Sequence, residues 1–355
     1  MTKKYHFRNL AFEGGGVKGI AYVGALRELE KHQILQDIDR IAGTSAGAIN
    51  AVLLSTGHTL KETTDILSRL NFRSFLDDSW GVGRDTQRLI TEFGWYKGDF
   101  FRKWIGNLIY DKTGNTNATF NDFRNMGFKD LYLIGTNLST GFSEVFSAEH
   151  TPRMPVADAV RMSMSIPLFF SAVRSARRDV YVDGGLLKNY PVKVFDREKY
   201  LDPKLVSKHG IERSYYDQSN KSKPASSSRY LYNKETLGFR LDSREEIAMF
   251  RDGGMVPTTK VDDFFDYGWA LVKAVLNAQN NAHLHGDDWQ RTIYIDTLGV
   301  GTTDFDLTDR MKKNLVKSGA DGIKKYFDWY EAAKGKNLPN NHPRFTIKPE
   351  LEQVA

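Results

Sequence analysis

Ser45 lies in Gly43-Thr44-Ser45-Ala46-Gly47, a Gly-x-Ser-x-Gly pattern at the end of the apolar run Ile38 to Ala42. A serine hydroxyl attacks a carbonyl only when its backbone aims it and a base takes its proton. The pattern solves the aiming. The serine occupies a strained strand-to-helix turn, and flanking glycines leave room where a Cβ would collide. Upstream, Gly14-Gly15-Gly16-Val17-Lys18-Gly19 follows the apolar residues Leu10-Ala11-Phe12. Successive glycines let backbone N–H groups converge, and the helix that follows adds its positive end. Such a nest can hold a phosphate or the oxyanion of acyl transfer. Its Gly-x-Gly-x-x-Gly spacing also fits a dinucleotide loop, a weak signal by itself, but Ile20 and Ala21 after Gly19 exclude a Walker loop.

Two kinds of base are available. Asp183 closes the β-rich run Val180-Tyr181-Val182 and precedes Gly184-Gly185, with Asn189-Tyr190-Pro191 downstream. A carboxylate at a strand end can meet the serine directly. Asp252-Gly253-Gly254 repeats the tripeptide, but it follows the helical pattern EEIAMFR and lacks the later Asn-x-Pro. His283 and His285 make the order Ser, Asp, His formally available for a triad. Both fall at the end of a helix expected over 262–284, where histidines commonly cap carbonyls.

The elements that must position these groups are readable from apolar spacing. A strand at Ile38–Ala42 and a buried helix over Ala46–Leu54 flank the serine, and a helix from Val17 to Lys31 follows the glycines. Strand, nest, helix, strand, elbow and helix within about forty-five residues form one βαβ unit, whose two turns share one edge of a parallel sheet. The nest and Ser45 therefore face each other, an arrangement that suits an oxyanion hole better than a cofactor site.

These blocks together resemble the patatin-like phospholipases. The glycine run Gly14 to Gly19, the Gly43–Gly47 elbow, Asp183-Gly184-Gly185 and Asn189-Tyr190-Pro191 match that family's blocks in order. Ser163-Met164-Ser165-Ile166-Pro167 is similar to its Ser-x-Ser-x-Pro segment. The resemblance spans roughly Leu10 to Val194. It implies a three-layer α/β/α fold with a mainly parallel sheet. It further implies Ser45 as nucleophile, Asp183 as its partner in a Ser–Asp dyad, and Gly14, Gly15, Gly16, Val17, Lys18 and Gly19 as the oxyanion loop. The implied substrate is a phospholipid or another acyl ester reached by transient contact with a membrane surface. No cofactor is implied, and some bacterial members act under the control of a ligand or partner. Two other readings stay open: a Ser-His-Asp esterase using His283 or His285, and a non-catalytic lipid-binding module on the same fold.

The chain has 355 residues, 40% of them hydrophobic, enough for one large core or a core with an appendage. The division expected is a catalytic core over 8–200 and a further part over 201–355 packed on it. With Cys 0 there are no disulfides, and no ligand spacing such as HExxH suggests a metal. A net charge of +6 suits a solvated basic surface and is compatible with anionic lipid, while no nucleic-acid motif appears. Without an apolar leader or a long apolar run, a cytoplasmic protein, peripheral at most to a membrane, is the expectation.

Elsewhere, Thr59 and Glu62 form a capping box that opens a helix to about Leu70. Further helices are expected over Asp99–Tyr110, Thr119–Asn125, 307–318 and 320–334, and strands over Asp130–Asn137, Phe142–Phe146 and Arg291–Asp296. Phe93, Trp95, Tyr96, Phe100, Phe101 and Trp104 cluster in sequence as core packing or as the wall of an acyl pocket. The polar stretch 204–229 reads as a mobile loop. Gly299-Val300-Gly301-Thr302-Thr303-Asp304 falls short of a phosphate loop.

Overall fold

The computed structural model describes residues 5–75, 89, 91–224, 227–243, 261–262, 264–284 and 288–332. Eight strands form the central sheet: β1 (Asn9–Phe12), β2 (Arg40–Thr44), β3 (Asp130–Asn137), β4 (Phe142–Ser147), β5 (Val173–Arg174), β6 (Val180–Asp183), β7 (Thr236–Asp242) and β8 (Thr292–Asp296). Their order is β8-β7-β1-β2-β3-β6-β5, with β4 on the other edge of β3. From β8 to β3 every pairing is parallel, and β4, β5 and β6 are antiparallel to their neighbours.

Side chains alternate across a strand, so each strand serves two layers. Leu10 and Phe12, Ile41, Leu131 and Leu133 point into one apolar core. Ala11, Ala42 and Tyr132 point the other way, against Val192, Phe195 and Tyr200. The helices that cover the larger core include α1 (Tyr22–Lys31), α2 (Ala46–Ser55), α3 (Val156–Ser163) and, C-terminal to a fourth helix α4 (Phe264–Leu284), α5 (Asp309–Ala332). The result is a three-layer α/β architecture with a mainly parallel sheet.

The local signals hold well. Thr59 and Glu62 close their capping box on the helix Leu60–Arg69, and Thr119 with Asp122 does the same for Phe120–Asn125. The first expected helix divides: a 3₁₀ turn over Gly16–Ala21 precedes α1. Two helices expected over 307–318 and 320–334 are instead the single α5. Gly319 sits in the interior of this helix, a place where glycine is ordinarily disfavoured. Its role is contact: a Cβ there would lie 1.9 Å from the Ala21 carbonyl oxygen, so glycine lets α5 press on α1.

In the stretch 204–229 the described residues fold into short elements. Helices Val206–His209 and Asp217–Lys221 flank Gly210–Ile211, which pairs with Tyr232–Asn233. Polar composition suggested a loop, yet Tyr216 stacks on Tyr230 and donates to Asp196, itself held by the buried Arg291. Of the aromatic cluster, Phe101 and Trp104 pack around Phe75 in the core, Tyr96 packs on Phe169, and Phe93 and Phe100 are exposed. The Asp252 tripeptide lies outside the described residues.

Candidate active site

β3 is the template for the site. Thr44 at the end of β2 pairs with Ile134, and Asp183 at the end of β6 pairs with Gly135. β2 and β6 thus run toward each other along one edge of β3 and stop at adjacent rungs. Ser45 follows Thr44 at φ +53, a strained left-handed conformation from which α2 begins at Ala46 and Gly47. Its Oγ donates to Asp183 Oδ2 at 2.7 Å and lies 3.5 Å from Met164 Sδ. Ser45 and Asp183 are both buried. Asp183 Oδ1 accepts the Gly185 N–H at 2.7 Å.

The glycine run faces this pair. A Cβ on Gly14 would sit 2.9 Å from Ser45 Cβ, so the loop has no room for a side chain there. The N–H groups of the run divide by partner. Gly14 donates to Asn189 O, Val17 to Thr302 O and Lys18 to Gly15 O. Among the described residues, the N–H groups of Gly15 and Gly16 have no such acceptor. Gly16 stands at φ +56 over the Thr302 carbonyl, 2.0 Å from where a Cβ would be. The near-miss loop Gly299–Asp304 therefore serves as a floor beneath the nest. Lys18 is buried with Nζ 3.4 Å from Leu241 O, and Gly19 lies against Ala46.

Three groups that the sequence analysis did not place at the site brace it. Ser163 Oγ accepts the Ser45 N–H at 2.9 Å, while Ser165 O accepts the Asp183 N–H at 2.8 Å. The Ser-x-Ser-x-Pro segment thus holds Ser45 and Asp183 together. Glu13 accepts the Leu241 N–H at 2.7 Å and an Asn189 Nδ2–H at 3.2 Å, so one carboxyl ties the nest to β7 and to the Asp183 block. Gln279 on α4 donates to Gly185 O and Leu186 O and accepts from Asn189 N. A carboxyl directly before a glycine run was the one legible signal for Glu13. Ser163 lies in the Ser-x-Ser-x-Pro segment, which carried no assigned role, and nothing local marks Gln279, whose partners are distant in sequence.

Burial sets the electrostatics. Desolvation pushes the Asp183 carboxyl up to about 7, opposed by the hydrogen bonds from Ser45 and Gly185. Glu13 is also pushed up to about 7 by burial, opposed by Arg240, whose guanidinium pairs with Asp242. A carboxyl poised near neutrality is a far better base for a hydroxyl than one near its ordinary value. His283 lies in α4 one turn after Gln279, but its side chain and all of His285 fall outside the described residues. Of the described histidines, His58, His150 and His209 bond to Thr56, Ser147 and Glu235. Among the described residues there is no cluster of three or more metal-ligating side chains, and no helix is long and apolar enough to cross a membrane.

The fold and this constellation define a patatin-like phospholipase domain, and residues 10–196 match the family model described as patatin-like phospholipase. The chain belongs to that family. It is 36% identical over 190 residues to the uncharacterized protein R571 of Acanthamoeba polyphaga mimivirus, covering 53% of this chain and 61% of that one. It is 28% identical over 221 residues to the cGAMP-activated phospholipase of Vibrio cholerae serotype O1, covering 56% of this chain and 59% of that one. The chain thus spans about three fifths of these two relatives. VipD from Legionella pneumophila shares the fold, with a TM-score of 0.58 at 18% identity over 91% of this chain and 67% of that one.

Proposed function

We propose that the protein is a lipid acyl hydrolase that cleaves fatty-acyl esters through an acyl-serine intermediate, using a Ser45–Asp183 dyad. The observation that carries this reading is the 2.7 Å contact between Ser45 Oγ and Asp183 Oδ2 in a buried site facing the glycine nest. Asp183, ionised, takes the hydroxyl proton as Ser45 Oγ bonds to the ester carbon. The carbonyl oxygen becomes an oxyanion beside the N–H groups of Gly15 and Gly16. The intermediate collapses, the carbon–oxygen ester bond breaks, and the leaving alcohol takes the proton back from Asp183. Water then loses a proton to Asp183 while attacking the acyl-serine, and the fatty acid departs as Ser45 regains its proton.

A family of phospholipases and the likeness to a Vibrio phospholipase support a lipid substrate. The test is to incubate the protein with mixed phospholipids and identify products by mass, beside a fluorophosphonate probe. Released fatty acid and one labelled site, both lost in Ser45→Ala, are expected. Labelling that survives Ser45→Ala removes the proposal.

A further inference from the structure

α4 lies outside the part of the chain that matches the family, yet it reaches the reacting groups. Gln279 anchors it to the backbone of Gly185, Leu186 and Asn189. Residues four apart share one helix face, so Val275, Leu271 and Tyr267 continue the Gln279 face outward. At 1.5 Å per residue they lie at about 6, 12 and 18 Å from it along the axis. That face is apolar and open: Leu271 is 52% and Tyr267 55% exposed.

Opposite it stand Pro167, Leu168 and Leu186, and the two walls enclose a groove of about 360 Å³ lined by apolar residues. Pro167 is three residues beyond Met164, whose sulfur lies beside Ser45 Oγ, and Leu186 is three beyond Asp183. Leu186 adjoins Gly185, whose N–H bonds to Asp183, and Gln279 ties the same two residues to α4, so both walls are anchored beside the carboxylate. Leu168 holds φ +67, a conformation a leucine adopts at a cost. Its Cδ1 would be 2.2 Å from a Cβ on Gly268, so the walls close on each other there. A bulky side chain kept strained at this contact, on a groove without polar lining whose walls follow Met164 and Asp183 in the chain, fits a long apolar ligand whose reacting end is directed toward Ser45.

We propose that this groove seats the acyl chain of the ester substrate, with Leu271 and Val275 setting the chain length accepted. The proposal rests on the acyl hydrolase reading, so it needs one measurement with turnover and one without. With soluble monomeric esters, the ratio of kcat/KM for a dodecanoyl over a butanoyl ester is expected to fall about tenfold or more in Leu271→Trp and in Val275→Trp, because added bulk blocks the far end of the chain. Tyr110→Trp, an exposed position on the helix Asp99–Thr113, should leave that ratio unchanged. Without turnover, Ser45→Ala should bind a fluorophore-labelled dodecanoic acid, and adding Leu271→Trp should weaken that binding by a similar factor.

An unchanged ester ratio in both tryptophan variants overturns the proposal, as does fatty-acid binding indifferent to Leu271→Trp. If the variants alter sedimentation with phosphatidylglycerol vesicles but not the ester ratio, the groove is a membrane contact and the proposal fails. If wild type cleaves no ester while Ser45→Ala still binds the fatty acid through Leu271, the hydrolase reading falls and the groove stands.

Discussion

Residues 10–196 and the residues after 200 contribute to the site in opposite ways. The first region holds every group assigned a chemical step: Ser45, Asp183 and the N–H groups of Gly15 and Gly16. The second holds none of these, yet it packs against the glycine nest and the Asp183 block. β7 extends the sheet beside β1 and receives Glu13 at Leu241, Thr302 lies beneath Gly16 and Val17, and Gln279 ties down the Asp183 block. Reacting groups can be local because they need only a turn and a strand end. Their bracing must come from far along the chain, since a strained elbow and a buried carboxyl persist only where surrounding structure over-determines them.

The sharpest way to break this division is to move the base into the second region. A Ser–Asp dyad predicts that Asp183→Asn lowers kcat by about 10⁴-fold, whereas His283→Ala/His285→Ala keeps turnover within a few-fold. The reverse outcome in well-folded variants would place the base on the C-terminal side and make the protein a triad esterase.

Next in size is the floor of the nest. Gly16→Ala meets both a left-handed backbone and the Thr302 carbonyl, so it should shift the N–H pair and lower kcat about 10²-fold with less change in KM. A dinucleotide site forecasts instead that NAD, FAD or ATP binds tighter than ~100 μM by calorimetry and that Gly16→Ala abolishes it.

A smaller effect sharpens the role of bracing. Glu13→Gln keeps an acceptor for the Leu241 N–H but loses the charge facing Arg240, so kcat should fall by about tenfold while the protein remains folded. A variant as active as wild type, with an unchanged pH profile, would remove Glu13 from the positioning network.

The pH dependence carries a sign that separates chemistry from stability. Asp183 must be ionised to accept a proton, so kcat/KM should rise with pH through about 7. Stability goes the other way. Unfolded, this carboxyl titrates near 3.8, and folded it holds its proton to about 7, so the folded state binds more protons in between. Its contribution to stability is lost as pH rises across that window. Asp183→Asn should therefore melt above wild type at about pH 8, and the difference should vanish near pH 4. A variant that melts lower at both would mean that the carboxylate stabilises the fold.

The candidate residues Ser45 and Asp183 were legible because each lies within a few positions of the glycines and strand that present it. The capping box at Thr59, the helix over Thr119–Asn125 and the strand Asp130–Asn137 were legible for the same reason. Composition does not show partners: the polar stretch after residue 204 meets Arg291 through Asp196, and Gly319 in α5 lies against the Ala21 carbonyl.

By itself the sequence determined the class of fold, the nucleophile candidate and its carboxylate, since periodicity and turn chemistry act over a few residues. Only tertiary structure decided that β2 and β6 end on adjacent rungs of β3, and which N–H groups of the glycine run find no acceptor among the described residues. It also decided that Glu13 and Gln279 brace the blocks, and that burial holds Asp183 near neutrality. These depend on contacts between residues tens to hundreds of positions apart, and no local pattern encodes which distant group will arrive.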